Sequence, residues 1–412
     1  MLDLLNSDGM RVYLEEALEL ERRKFRFDSD DRRKENMPAE AEILARAAEI
    51  VMGRHTPSFP EKVLISKLGT QKKRVIYVYD DLNRLALKLI QHMVSIRYDR
   101  FLPCCLAFRP GFSIQGAFRD ALRHYCPNFS CVRTDISDYF NSIDTDRMSL
   151  LIQESLPDSV PLTTVIERML RNPYVKVGDE VICETQKGVM AGMPLAPFLA
   201  NLYLHAFDKE AVTWAPLYLR YSDDLIFFCR PDDAEHLLDK VRTALSALGL
   251  SVNEDKTQIS APGEEWSFLG LAYNQGQIDL SDGAIDKMQG KISRAAKKLY
   301  RWRIRKNAST ERAARAMIRK FQFKFYGTGL RDDELTWSKW YFPMLNCHYG
   351  LSQIDQHMQM WIRYIASGSH CKKNYSLVGY DMMKEWGYVP LKAAYYSRFR
   401  KTKNDIETPQ HQ

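Results

Sequence analysis

Two β-prone runs, residues 217–220 and 225–229, meet at the polar step Tyr221-Ser222-Asp223-Asp224. Their β-prone character (Leu217, Tyr218, Leu219, then Leu225, Ile226, Phe227, Phe228) predicts a tight hairpin with adjacent carboxylates at its tip. A second short strand is predicted where Cys131 and Val132 lead towards Asp135, after which the chain turns through Asp138 to the aromatic pair Tyr139-Phe140. Elsewhere the helical period dominates. Residues 10 to about 50 predict helices around Tyr13–Leu18 and Ala39–Leu44, separated by the charged run 28–34, an exposed link or helix face. Gly192-Met193-Pro194 begins a Gly/Pro-rich loop that opens into a helix by Asn201. Farther on, Met288, Ile292, Ala295, Leu299 and Trp302 form an apolar stripe at three- and four-residue steps. Beside it, Lys287, Lys291, Arg294, Lys298, Arg301 and Arg305 recur at the same period. This is an amphipathic helix with one packed side and one cationic side.

The Asp223-Asp224 pair changes the picture most. Alone, two acids on a turn are an ordinary solvated loop. Apolar flanks on both sides imply partial burial, where like charges are costly without a cation beside them. A hard divalent ion with oxygen ligands meets that need, Mg2+ typically taking one or two carboxylates plus substrate phosphates. Asp135 is the third carboxylate, and phosphoryl transfer with two metals about 3.5–4 Å apart needs acids from separate chain segments. Asp138 reads as a fourth ligand or as a surface acid at a turn. Lys67, Lys72, Lys73 and Arg74 crowd the turn at Gly69-Thr70, which suits a triphosphate or, more blandly, a solvated basic hairpin.

Composition narrows the class. The chain has 412 residues, 45% hydrophobic and 27% charged, ordinary for globular proteins and long enough for two or three subdomains. No apolar run approaches the roughly 20 residues of a membrane helix, and no signal-peptide profile opens the chain. Eight cysteines without paired Cys-x-x-Cys spacing imply reduced thiols in a cytoplasm rather than a disulfide framework. Cys347-His348 and His370-Cys371 fit no standard zinc spacing. Net charge is +7, yet residues 286–324 alone hold 14 Lys/Arg against 2 acids, so the remainder is acidic on balance.

In order along the chain, these elements resemble the reverse transcriptases, within them the bacterial type related to retron and group II intron enzymes. Residues 67–76 resemble the fingers hairpin that grips an incoming triphosphate. Phe108-Arg109-Pro110-Gly111 resembles the element that follows it, and residues 135–140 resemble motif A. Residues 188–201 are similar to motif B, residues 221–224 to motif C, and residues 248–257 to motif D. Residues 267–270 resemble the motif E primer grip. The resemblance implies an α+β right-hand polymerase. Its parts are a helical N-terminal extension (1–58), fingers and palm with an antiparallel sheet plus helices (59–280), a basic helical thumb (281–330) and a helical C-terminal extension with a disordered tail (331–412).

The implied chemistry is RNA-directed DNA synthesis with deoxynucleoside triphosphates and two Mg2+ ions, for which Mn2+ can substitute. Asp135, Asp223 and Asp224, with Ile136 beside them, would hold the metals. Lys67, Arg74, Phe140, Gly192 and Lys256 would meet the nucleotide, Phe140 as a wall against the sugar C2′, as a core residue, or as both. Lys256 would protonate or neutralise pyrophosphate, or be a plain surface lysine. Phe268, Leu269 and Gly270 would form the primer grip, and the cationic helix face would contact an RNA–DNA duplex backbone or be a solvated surface.

Motif B departs from the family. Its Gln-Gly and Ser-Pro pairs stand here as Ala191-Gly192 and Ala196-Pro197, which leaves fidelity and template choice open. The retron Asn-Ala-x-x-His and Val-Thr-Gly elements are not found, and about 130 residues after the palm leave little room for maturase and nuclease modules. The pattern resembles most the defence-associated "unknown group" enzymes, several of which act with a non-coding RNA encoded nearby. Template-independent or protein-primed synthesis and a non-catalytic RNA-binding scaffold are the alternatives. Homo-oligomerisation stays open. The Tyr- and Arg-rich end, residues 385–400, reads as a surface for single-stranded bases or as a small helical core with a basic rim.

Overall fold

A computed structural model describes residues 1–25, 37–66, 73–185, 188–327 and 336–397. Among the described residues eleven strands run β1 Glu61–Ser66, β2 Lys73–Val78, β3 Ser130–Asp135, β4 Tyr174–Val177, β5 Glu180–Cys183 and β6 Leu217–Tyr221. They continue with β7 Asp224–Cys229, β8 Gln258–Ser260, β9 Trp266–Phe268, β10 Leu271–Asn274 and β11 Gln277–Leu280. The mixture is α+β, with the strands gathered in three sheets ordered β2-β1-β4-β5, β6-β7-β3-β8 and β11-β10-β9. The chain divides into two compact units, residues 1–262 and 263–412.

In the first unit the wholly antiparallel sheet β6-β7-β3-β8 is the frame of the site. Its inner strands are apolar because they are covered: Val132, Leu225, Ile226 and Phe227 are fully buried. The Ala234–Ser246 helix packs against β3 through Leu237, Leu238, Val241 and Leu245. A second pillar is the Asp81–Arg97 helix, opened by Asp80, whose carboxylate accepts from the Asn83 N–H. It buries Leu85, Leu89, Ile90, Met93 and Val94 and carries the N-terminal helices Asp8–Phe25 and Glu40–Val51. Both helices fall where the hydrophobic period places them. The charged run between them lies outside the described residues.

In the second unit β9–β11 precede the Asp282–Lys306 helix, which packs against Thr310–Tyr326 and Tyr349–Ser367. Ser281 caps it by accepting from the Ala284 N–H, and Asn307 ends it in the left-handed region. Ile285, Met288, Ile292, Ala295 and Ala296 are buried, as the apolar stripe requires. Leu299 and Trp302 continue that stripe but stay half-exposed, because the residues facing them are Ala316 and Lys320, one too small and one too polar to cover them.

Near the end of the described chain Trp386, Tyr388, Leu391 and Tyr395 are buried. The Tyr388 hydroxyl and the Leu391 and Lys392 amides donate to Asp355, so these aromatics form a helical core rather than a free stacking surface. Arg398 and Arg400 lie outside the described residues. All eight cysteines are free thiols. Cys347 faces the Ile278 carbonyl, and His370 packs its ring on Trp361. Among the described residues no helix is long and apolar enough to cross a membrane.

Candidate active site

The ladder between β3 and β7 pairs Asp135 directly with Asp224. Cross-strand partners hold their Cβ atoms about 5 Å apart, so the two carboxylates share one edge of the sheet. Tyr221 pairs with Asp224, leaving Ser222 and Asp223 as a two-residue turn. Ser222 takes a positive φ of 59°, the backbone hand that a tight hairpin demands. The Ile136 N–H donates to the Asp223 carbonyl at 3.0 Å, tying the turn to the end of β3. Ile136 is buried, and what it has left to offer a cation is its own carbonyl.

Electrostatically the three acids are in conflict. Burial, then the Asp135 charge, raises the Asp223 carboxyl above its ordinary value. Burial, then Asp223 and Asp135, does the same to Asp224. Lys256 relieves part of this: its Nζ donates to Asp135 Oδ2 at 2.6 Å while its side chain stays 58% exposed. Asn253 donates its backbone N–H to the Asp135 carbonyl. Lys256 is therefore no plain surface lysine. Among the described residues no group of three or more acids, His or Cys is already drawn into a closed metal cage. An open, oxygen-only donor set whose like charge is only partly relieved fits a hard divalent cation that takes its remaining ligands from phosphate. Asp138 is exposed, has a φ of 43° and accepts from Asn141 Nδ2, which makes it a turn acid.

Beneath this edge lies a network that the sequence pattern did not single out. Arg220 is fully buried and pairs with the equally buried Asp208 at 2.5 Å. Its Nη1 also donates to Asn201 Oδ1 and to the Ser222 carbonyl, at 3.2 and 3.1 Å. Asn201 in turn donates to the Ala107 carbonyl. The helix of motif B, the Asp208 helix and the carboxylate turn are thus fastened through one guanidinium. The only available signal was a charged residue interrupting an apolar strand.

Arg74, Phe140 and Gly192, three of the expected nucleotide contacts, line one cavity of about 540 Å3. Of the other two, Lys256 stands at Asp135, away from this lining, and Lys67 lies outside the described residues. Gly192 has a φ of 107°, and a Cβ there would sit 2.5 Å from the Tyr77 carbonyl oxygen. The Tyr77 N–H donates to the Ala191 carbonyl at 2.8 Å, so the loop closes on β2 by backbone contact. Ala191 and Ala196 line the same cavity and bring no polar side chain. Its far wall is the N-terminal helix, with Tyr13, Glu16 and Glu21. Glu21 is buried and pairs with Arg84 and Lys88, at 3.0 and 2.9 Å. No local pattern revealed that this helix reaches the cavity.

In the second unit Phe268 pairs with Leu271 across a turn of Leu269 and Gly270, both at positive φ (53° and 80°). Phe268 is buried, and a Cβ at Gly270 would run into the Tyr341 hydroxyl. Lys287, Arg294, Lys298, Arg301 and Arg305 are exposed along one helix, with Lys291 half-buried.

Residues 65–273, just over half the chain, match the family described as reverse transcriptase (RNA-dependent DNA polymerase). The group II intron-encoded protein LtrA of Lactococcus lactis subsp. cremoris is 25% identical over 158 residues. That match covers 38% of this chain and 26% of LtrA, so the chain spans about a quarter of the curated relative it matches. The same values hold for LtrA of strain MG1363. Solved structures of apo telomerase from Candida tropicalis are also similar. One, truncated from the C-terminal domain, is 13% identical over 55% of this chain and 56% of its own (TM-score 0.45). Another is 11% identical over 80% and 69% (TM-score 0.46). With motif order, paired carboxylates and family match in agreement, the chain belongs to the reverse transcriptase (RNA-dependent DNA polymerase) family.

Proposed function

We propose that this chain extends a primer with deoxynucleoside triphosphates on an RNA template, and that the template is a dedicated non-coding RNA serving antiphage defence. The observation that carries the polymerase reading is the pairing of Asp135 with Asp224 across the ladder, with Asp223 in the adjoining turn. The defence assignment rests on the resemblance and on the altered motif B, with Ala191 and Ala196.

Asp135, Asp223 and Asp224 would hold two Mg2+ ions, which supply charge stabilisation at the attacking 3′-oxygen and the departing pyrophosphate. Arg74 meets the triphosphate with a planar, multidentate donor. Phe140 stands against the sugar, where its bulk disfavours a 2′-hydroxyl. Lys256 holds a positive charge at Asp135 and neutralises or protonates the leaving pyrophosphate. Phe268, Leu269 and Gly270 present the primer end, and the exposed cations of the long helix hold the duplex backbone without reading sequence. Positioning and preset electrostatics carry the rate, as in other phosphoryl transfers.

The alanines at 191 and 196 also favour a second reading, untemplated or protein-primed synthesis, because they offer a template no polar side chain. One experiment separates the readings. The chain is purified from a host carrying its flanking DNA, supplied with Mg2+ and labelled deoxynucleotides, and the bound RNA and new DNA are sequenced. DNA complementary to one enriched RNA, absent with Asp223→Ala, is the expected result. DNA unrelated to any RNA gives the second reading, and wild-type incorporation by Asp223→Ala overturns the active-site assignment.

A further inference from the structure

The cationic helix does more than present a row of charges. Where its apolar stripe escapes burial, Leu299 and Trp302 join Ala295 and Ala316 as the floor of a groove between the Asp282–Lys306 and Thr310–Tyr326 helices. Lys298, Arg301 and Arg305 from one helix and Lys320 from the other form its rim. Its volume is about 570 Å3, within the roughly 300–1,000 Å3 of small-ligand sites. No carboxylate lines it. The nearby acid Glu311 is occupied by Arg315 at 2.7 Å. Cation crowding continues along the second helix, where burial, then Lys291 and Lys320, push the Lys324 ammonium below its ordinary value. The Arg312 guanidinium lies over the Trp302 ring, 5.6 Å from its centroid, and helps to hold the indole in place.

We infer that this groove is a binding site for an unpaired nucleotide of a single nucleic-acid strand, its base seated on Trp302 and Leu299 and its flanking phosphates held by Lys298, Arg301, Arg305 and Lys320. A duplex keeps its bases stacked inside and shows only phosphates, so it engages the rim and leaves the apolar floor empty. An extended single strand can turn a base inward, and sequence-tolerant recognition of such strands combines an aromatic platform with a cationic track. An acidic peptide would satisfy the rim but not the flat aromatic floor. A membrane surface would need a broader apolar face than these few side chains give. The inference rests on the proposed reading of this helix as a nucleic-acid surface and adds base contact to it.

The test uses the full chain and two probes of equal length, a 12-nucleotide oligouridylate and its abasic counterpart, compared by fluorescence anisotropy. A third probe carries one 5-iodouridine for photocrosslinking. The wild type should bind the base-bearing strand about tenfold tighter than the abasic one, the scale of one lost base–aromatic stack. Trp302→Leu should abolish that difference without changing abasic binding, Trp302→Phe should retain most of it, and the crosslink should map to the Trp302 peptide. Equal affinity for both probes in the wild type overturns the inference. So does an unchanged preference in Trp302→Leu with crosslinks mapping elsewhere. Displacement of the oligouridylate by a polyglutamate peptide at equal concentration also overturns it, in favour of an acidic protein partner. Replacing Lys298, Arg301, Arg305 and Lys320 together with Gln separates the two levels of failure. Weaker binding of both probes with no effect of Trp302→Leu removes the base site alone, whereas unchanged binding of both removes the nucleic-acid surface as well.

Discussion

At the scale of single residues, the site is held in a state its own charges oppose. An aspartate raised above its ordinary value binds its proton more tightly folded than unfolded. Its effect on stability therefore runs opposite to that of a salt-bridged acid: stability falls as pH rises from below the unfolded value, about 3.9, through the raised folded value. Once both carboxyls have ionised, the whole cost of Asp223 and Asp224 is present. Asp224→Asn removes one charge and keeps the shape. Without divalent ions at pH 7 this variant should melt at a higher temperature than the wild type, by the equivalent of about 1 kcal/mol. The advantage should narrow as pH falls into the titration range of the carboxyls, and Mg2+ should stabilise the wild type alone. Incorporation should be lost. A lower melting temperature for Asp224→Asn at pH 7 in chelator would mean that the acids are not in conflict.

At the scale of elements, what was legible in the sequence was what short-range pattern carries. The β6–β7 hairpin showed itself as two apolar runs around a polar pair, and Asp135 as the end of a β-prone run, so the three carboxylates were readable before any pairing was known. Arg220 and Asp208 were not. Each is an ordinary charged residue in its own segment, and only the sheet and the Asp208 helix together bury both. The N-terminal helix was readable as a helix, but its place on the Arg74–Phe140–Gly192 cavity is a long-range packing result. The apolar stripe ending in Leu299 and Trp302 was read as packed throughout, and its last turn is not, because burial depends on the facing residues rather than on period. The loop that closes on β2 gives the element-scale prediction. Gly192→Ala places a Cβ against the Tyr77 carbonyl in a backbone region that L side chains rarely adopt. It should cost about 1–3 kcal/mol of stability. It should also raise the KM for deoxynucleotides by more than it lowers kcat, because the loop lines the cavity with Arg74 and Phe140, and Asp135, Asp223 and Asp224 are not among the residues lining it. Steady-state kinetics with a homopolymer template would check this; an unchanged KM with a depressed kcat would place the loop's influence at the metals instead.

At the scale of the whole chain, charge is segregated by unit. Residues 1–262 hold 34 Lys/Arg against 38 Asp/Glu, and residues 263–412 hold 25 against 14. If the first unit, acidic on balance, takes a triphosphate as proposed, it must rely on a few placed cations, Arg74 and Lys256 among them. On the proposed reading, sequence-independent attraction to a nucleic-acid backbone would fall to the second unit, whose cationic excess is concentrated on two adjoining helices. Each backbone phosphate neutralised releases counterions, so the logarithm of affinity falls with the logarithm of salt by about 0.9 per contact on a duplex. Neutralising Lys291, Arg294 and Lys298 together should reduce that slope by about 2–3 if all three meet phosphates. Affinity at low salt should drop, and the metal requirement of incorporation should be untouched, since none of the three belongs to the unit that holds the carboxylates. Binding isotherms on an RNA–DNA duplex across a salt series measure the slope directly. A slope equal to that of the wild type would mean that this face is solvated and that the duplex is held by other cations.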